Sequence, residues 1–427
     1  MTRSWFETRE GDVLEAGDRR MIAPGTLLVV EVERKWVARC PHCGAPCTKV
    51  HERLKSRRWL DLPWGGHPVQ LAYAPMRLDC ENCGTRPVEL LPWADPYQRE
   101  TKRLQHQIAL EAASMPVSHV AAMHGLNWHT ACRAEKSALE RWQKTRPPMD
   151  LTMVGVDEKY LGRRHKLEHK YVTIVSNLAT GEPIWIGKGR GQATVEQWLA
   201  TLSSEQKQRI QVVVMDMHAP FKAAIKADGE MQHVDIVHDP FHVMKRASEA
   251  VDELRRAVFF RAGRTQRALG RGKRWLFLRA WCNCTDEQRH ELGKLLRLNR
   301  RLARAYALVE QMRDVLHAPD EQTMFKGLMD LLRRTERRDN KPIRKLHESI
   351  DRHFDQILAL ARHRPPVGRV EALNNNWETL VRTGRGYRDL DYLLLKLSFA
   401  IANPIRAEGG VLRFLALGLS TPYRKAA

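Results

Sequence analysis

The chain has 427 residues, 43% of them hydrophobic, which is enough to bury more than one core and excludes a disordered tail. It carries 71 Lys and Arg against 50 Asp and Glu, a formal net charge of +21. A positive field of that size attracts a polyanion, and nucleic acid is the commonest one.

Met1-Thr2-Arg3-Ser4-Trp5 lacks the apolar core of a secretory leader. No run approaches the roughly 18 apolar residues that span a bilayer. No membrane partner is therefore expected, and the expected location is the cytoplasm, in association with the nucleoid. In a reducing compartment the eight cysteines do not form a disulfide framework.

Residues 1–97 are rich in Pro, Gly and Trp, with short strand-like runs such as Leu27-Leu28-Val29-Val30. They contain Cys40-Pro41-His42-Cys43 and Cys80-Glu81-Asn82-Cys83, separated by 36 residues. Each pair can present two thiolates on one knuckle, and two knuckles give a tetrahedral four-sulfur site suited to Zn2+. A full thiolate set leaves no open position, so the zinc is structural and supports a module with little core of its own. Cys47, His42 and His51 are taken as bystanders.

Residues 98–148 turn helical, with Ile108, Leu110, Ala113, Val117, Val120 and Ala121 at helical spacings. Pro116 to Thr130 fits a helix-turn-helix. Val120, Ala121 and Leu126 pack its helices together, and Gly125 allows the turn. The second helix, about 127–141, enters a major groove, with His129, Thr130 and Arg133 as candidate base readers. Pro147-Pro148 ends the segment.

Residues 149–405 begin with Met153-Val154-Gly155-Val156-Asp157, a strand ending in an acid. Tyr171–Val175 and Pro183–Ile186 follow, joined by a hairpin turn at Thr180-Gly181-Glu182. A helix is expected over 194–203. Val212-Val213-Val214-Met215-Asp216 has the continuous apolar run of a buried central strand, and His233–Val237 is a further strand. Three antiparallel strands, a helix, a central strand, a helix and another strand follow the order of the ribonuclease H-like α/β fold. A helical, basic insertion occupies about 245–362. Within 255–304 there are fifteen Lys or Arg and three Asp or Glu. Residues 406–427 are read as a C-terminal tail.

Phosphodiester cleavage and strand transfer need two divalent cations about 4 Å apart, held by carboxylates. In this fold order the first and central strands lie side by side, which puts Asp157 and Asp216 within reach of one metal. A third acid must come from a later helix, and Glu371 is the best placed. Glu158 points to the opposite strand face. Asp235 and Asp239 belong to the next strand.

Taken together, these features resemble the ISL3 family of bacterial insertion-sequence transposases. The resemblance runs from Cys40 to about Pro404. It rests on the cysteine pairs, the helix-turn-helix, Val156-Asp157-Glu158, Met215-Asp216-Met217, Asp239-Pro240-Phe241-His242-Val243, Glu371-Ala372-Leu373-Asn374-Asn375 and Gly386-Tyr387-Arg388. It implies a DDE transposase whose acids are Asp157, Asp216 and Glu371, with the insertion accounting for the 154 residues between the last two. It also implies an Asp-x-x-His motif at Asp239 and His242, where His242 either assists catalysis or is hydrogen-bonded in the core. Many relatives carry a basic residue soon after the Asn pair. Here Asn376, Trp377 and Glu378 follow, with Arg382 and Arg385 later. The DNA contacts expected there are therefore Trp377, stacked on an unpaired base or else a core group, and the two arginines.

The reading is a transposase that binds the terminal inverted repeats of its element and cuts and joins DNA with Mg2+ or Mn2+. Two protomers would pair the ends on target DNA. The alternatives are a non-catalytic zinc and helix-turn-helix regulator, or a nuclease of the same fold.

Overall fold

The structure, a computed structural model, describes residues 4–7, 13–15, 26–146, 149–160, 170–260, 263–336, 340–384 and 387–402. It divides into two compact units, residues 1–147 with 382–385 and 398–427, and residues 148–381 with 386–397. Among the described residues no helix is long and apolar enough to cross a membrane.

The first unit opens with strands β1 (Ser4–Glu7), β2 (Val13–Glu15), β3 (Leu27–Glu31), β4 (Val50–Arg53), β5 (Arg57–Trp64), β6 (His67–Tyr73) and β7 (Met76–Leu78). They form a five-stranded sheet in the order β2-β1-β3-β6-β5 and a separate β4-β7 ribbon. Helices α1 (Lys102–Ala112), α2 (Val117–Met123) and α3 (Trp128–Lys144) follow. Two side-chain caps start the longer helices. Thr101 accepts from the Leu104 amide at 3.2 Å, and Asn127 accepts from the Thr130 amide at 2.8 Å. Gly125 lies between α2 and α3 at φ +63°, a left-handed conformation that a side chain would strain.

Leu104, Ile108, Ala112, Val120 and Ala134 form one core, and Leu126 packs against it as expected. Leu60 and Leu62 of β5 join the same core. Thr101 also donates to buried Asp61 at 2.6 Å, and Arg103 pairs with that carboxylate. The β module and the helices, read from sequence as separate domains, are thus fastened to each other.

The second unit is built on β8 (Met153–Tyr160), β9 (Tyr171–Asn177), β10 (Pro183–Lys188), β11 (Val212–Met215) and β12 (Asp235–His238). Their order is β10-β9-β8-β11-β12. Strands β8, β9 and β10 are antiparallel neighbours, while β11 runs parallel to both β8 and β12. Helices α4 (Gln192–Leu199), α5 (Ser204–Arg209) and α6 (Ala219–Ala227) lie between the strands in sequence. The helix expected over 194–203 is α4, which ends earlier, at Leu199, and a second short helix, α5, starts past that range at a Ser203–Gln206 capping box.

Because side chains alternate along a strand, the sheet has two distinct faces. Val154, Val156, Val213, Met215 and Ile236 share a core with Trp198 and Phe221, from α4 and α6. Val212, Val214 and Val237 face the other way into a core with the later helices. The later helices are α7 (Pro240–Phe260), α8 (Arg264–Gly270), α9 (Arg274–Leu278), α10 (Asp286–Arg297), α11 (Arg300–Leu316), α12 (Glu321–Thr335), α13 (Lys341–Arg352), α14 (Phe354–His363), α15 (Gly368–Thr383) and α16 (Leu390–Ala402), and that core draws on α7, α9 to α14 and Val370 of α15. The helical region begins at Pro240, directly after β12, and not near 245. It is not an appendage, since Leu254, Leu308, Leu331 and Ile357 belong to the same continuous core as Val214 and Val237.

Candidate active site

Parallel pairing of β11 with β8 sets Met215 opposite Val156, so Asp216, just past the end of β11, and Asp157, inside β8 where that pairing stops, follow as neighbours; β8 itself runs three residues beyond the acid expected to end it. Pairing of β11 with β12 sets Met215 opposite His238, so Asp239 comes next in the row. Alternation turns all three carboxyls toward the face of Gly155, Val214 and Val237, which the later helices cover. The carboxyl ends of parallel strands are where open α/β sheets place ligands.

Each carboxyl is oriented by the chain that follows it. Asp157 accepts from the Glu158 amide at 2.8 Å and pairs with Lys159 Nζ at 2.7 Å. Asp216 accepts from the Met217 amide at 2.6 Å, and its other oxygen lies 3.1 Å from His242 Nδ1. Asp239 accepts from the Phe241 amide at 2.9 Å. His242 stands in the first turn of α7, which starts at Pro240 as the chain leaves β12.

Charge crowding shows in the ionisation. Burial raises the Asp239 carboxyl, and the charges of Asp157 and Asp216 raise it further. Burial works against the His242 imidazolium, but the Asp216 hydrogen bond and the charges of Asp239 and Asp157 outweigh it, so its pKa rises. Burial likewise opposes the Asp216 carboxylate, yet His242 and the Met217 amide bring its pKa down. Hard oxygen donors carrying this surplus of negative charge suit a hard divalent cation.

Glu371 lies in the first turn of α15 and is exposed. Its neighbours anchor that turn to the sheet. A Cβ on Gly155 would sit 3.6 Å from Val370, and Arg369 donates to the Leu178 carbonyl at 3.2 Å. Val370 therefore lies on the sheet face that carries Asp157. The carboxylate itself does not join the two aspartates in one ligand cluster. Among the described residues, only Cys40, Cys43, Cys80 and Cys83 gather three or more ligand atoms.

The remaining expectations separate cleanly. Glu158 pairs with Arg190 at 3.4 Å, on the opposite face. Asp235, at the far end of β12 from Asp239, is held by His363 at 2.6 Å. Trp377 is only 3% exposed, so of the two readings the sequence left open its indole is the core group and is not placed to stack on a base. Arg382 is exposed, and Arg385 lies outside the described residues. His129 is exposed and Thr130 half-buried, whereas Arg133 faces the buried Glu100 carboxylate at 3.6 Å.

Two features escaped the sequence reading. The Lys159–Asp157 pair is foreshadowed only by two residues of strand alternation. The buried His238, whose Nε2 lies 3.0 Å from His353 Nδ1, has no local signal, since 115 residues separate the two. Burial holds His238 down to about 4.

In the first unit, Cys40 Sγ lies 3.7 Å from Cys83 Sγ, and Cys43 Sγ lies 3.6 Å from Cys80 Sγ. Zinc–sulfur bonds of about 2.3 Å in a tetrahedron place sulfurs about 3.8 Å apart. The two knuckles are built alike. The Gly44 amide donates to the Cys40 carbonyl and the Gly84 amide to the Cys80 carbonyl, at 2.9 and 2.8 Å. Both glycines are left-handed, at φ +71° and +67°. Asn82 and the Ala45 amide bring the Cys43 thiol down to about 6, which favours the ligating thiolate. Cys47 stays outside the cluster, as expected.

Comparison with known proteins matches this arrangement part by part. A family model described as transposase covers residues 154–397, a second, for the helix-turn-helix domain of transposase family ISL3, covers 89–136, and a third, for the zinc-finger of the transposases of IS204, IS1001, IS1096 and IS1165, covers 36–83. The chain belongs to the ISL3 family of transposases. It is 30% identical over 370 residues to the transposase of insertion sequence IS1001 from Bordetella parapertussis, spanning 86% of this chain and 89% of that protein. It is 25% identical over 429 residues to the transposase of IS1557 from Mycobacterium tuberculosis, spanning 94% and 93%. This transposase accordingly joins a zinc-binding module and a helix-turn-helix DNA-binding part to a DDE catalytic part that cleaves and transfers DNA with divalent metal ions.

Proposed function

We propose that Asp157, Asp216 and Glu371 are the catalytic acids of this transposase and that its catalytic unit is a ribonuclease H-like fold. One observation carries the assignment. The register makes Asp157 and Asp216 neighbours where the parallel pairing of β8 with β11 stops, and α15 is anchored to that same sheet face one residue before Glu371. The two aspartates would hold the divalent ions with Glu371, which must swing inward to complete the set. Bound there, such ions lower the pKa of an attacking hydroxyl and stabilise the leaving oxygen.

The chain's own groups do the rest. His242 orients Asp216 through its Nδ1 contact and holds a proton beside the reacting phosphate. Lys159 restrains Asp157 and offers a cation to the phosphodiester. Exposed Arg264, Arg271, Arg297, Arg300 and Arg301 on and between the later helices provide a sequence-independent grip on flanking DNA. The domain limits 1–97, 98–148 and 149–405 serve as working boundaries, with α3 reading the terminal inverted repeats. Because two ends must be joined, the active form is a homodimer on paired ends.

The test is Asp216→Asn, assayed for cleavage of a DNA end in Mg2+. A loss of about three orders of magnitude in rate, with DNA binding intact, is expected. Undiminished cleavage removes Asp216 from the mechanism.

A further inference from the structure

Trp377 is buried, but another aromatic ring stands open beside the acids. Phe241 is 69% exposed and lies in the first turn of α7, between Asp239 and His242. A single exposed hydrophobic residue is ordinary on a protein surface; its neighbours set Phe241 apart.

The local chain fixes where the ring goes. Asp239 accepts from the Phe241 amide at 2.9 Å, which ties the residue's backbone to one of the three carboxylates in the row. Further along α7, Val243, Ala247, Ala250 and Leu254 turn into the core they share with Val214 and Val237. At 3.6 residues per turn Phe241 sits about 200° around the helix from Val243, on the face turned away from that core. His242, between the two, places Nδ1 3.1 Å from the Asp216 carboxylate. The Phe241 and His242 rings meet edge-on, 5.5 Å between centres. The phenyl ring thus stands one side chain away from the central acid, with most of its surface open.

A cation accompanies the ring. Lys245, one turn further along the same face, is exposed, while Arg246 beside it is matched by Glu249 at 3.6 Å. A phenyl group ligates no metal and carries no proton, so what it offers this site is a surface for a flat apolar ligand. At a site that cleaves DNA, that ligand is a base whose pair has opened. An open ring that stacks on a base, with a cation near the adjoining phosphate, is how proteins hold unpaired strands.

We infer that Phe241 stacks on the base beside the scissile phosphate once that base has left its pair, with Lys245 on the adjoining phosphate, a reading that rests on Asp157, Asp216 and Glu371 being the catalytic acids. The stack holds the DNA end in register with the acids, through a base and not through the phosphate on which the acids and their metal ions act.

The experiment is a cycle between protein and DNA. The full chain cleaves an end of the element in Mg2+, either intact or with one base at a time replaced by an abasic sugar at the positions flanking the cut. On the intact end, Phe241→Ala should lower kcat/KM by about tenfold, the worth of one stacked base. Phe241→Leu keeps apolar bulk without a flat ring and should lose nearly as much. At the abasic position that removes the stacking partner, the wild-type chain should lose a similar factor and Phe241→Ala should cost nothing further. Lys245→Ala should lower the salt slope of binding by about one, and an unchanged slope overturns the phosphate contact. Because Phe241 is exposed, its variants should melt within about 1 °C of the wild-type chain, which reports that they are folded. A folded Phe241→Ala chain that cleaves the intact end at the wild-type rate, full activity in Phe241→Leu, or a loss of the same size on every abasic end overturns the inference. The last pattern is what a mere prop for His242 would give. Asp216→Asn is run on the same ends. Normal cleavage by that variant removes the assignment of the acids and the inference with it, whereas an inactive Asp216→Asn beside any of the overturning patterns removes the inference alone.

Discussion

His242 Nδ1 lies 3.1 Å from an Asp216 oxygen, which joins the first turn of α7 to the end of the central strand. Charge pairing raises the histidine above its ordinary pKa near 6.5 and lowers the aspartate below its ordinary value near 3.9. The histidine's contribution to stability is full below pH about 6.5 and is lost as pH rises through its folded pKa. The aspartate's contribution is present above pH about 3.9 and is lost as pH falls through its folded pKa. Without added Mg2+ or Mn2+, the wild-type chain should exceed His242→Ala by about 1 kcal/mol near pH 5, and the gap should shrink above pH 7. Denaturant unfolding across that range checks this, and a gap that ignores pH would show that the pair does not form in solution.

Glu371 and Asp235 should part company on mutation. Glu371→Gln alters an exposed side chain on an anchored helix turn and should leave the melting temperature within about 1 °C while abolishing cleavage. Asp235→Asn removes a partner of His363 and Arg362 at the far strand end. With Asp235 substantially exposed, the cost should stay near 0.5 kcal/mol, and cleavage should survive. Paired melting and cleavage assays decide, and the opposite pattern would reassign the third acid.

Gly155 is the point where α15 meets the sheet. A methyl there would lie 2.9 Å from Ser176 Oγ and 3.0 Å from Leu178, with Val370 next at 3.6 Å. Gly155→Ala should therefore destabilise the chain by about 1–3 kcal/mol. It should also slow cleavage more than Asp235→Asn does, because relieving the Ser176 and Leu178 contacts shifts β8 two residues from Asp157. Normal melting and normal cleavage in this variant would mean that the anchor has no bearing on catalysis.

One zinc ion per chain is expected, lost on Cys43→Ser and retained on Cys47→Ser, since only the former residue belongs to the four-sulfur cluster. Metal analysis measures both. Chelation should unfold the knuckles and expose the β4–β7 ribbon to protease while the catalytic unit stays resistant. Protection unchanged after zinc removal would deny the metal a structural role.

Much of the catalytic sheet was legible because a buried parallel strand leaves a plain trace, an unbroken apolar run closed by an acid. Val212–Met215 before Asp216 is the clearest case. The zinc site was equally legible, since ligand spacing is a local property. What escaped depends on distance along the chain. His238 meets His353 only after the helices have folded back. For Trp377 the motif left a base-stacking group and a core group open, and side-chain burial selects the core group.

Helices α7 and α9 to α14 and one side of the catalytic sheet share a single apolar interior. An internally deleted copy of the gene that dropped those helices would bare Val212, Val214 and Val237 to water and lose its solubility along with the segment. Descendants of the element that lose these helices are thus expected to encode inert, aggregating polypeptides, not slimmer working enzymes.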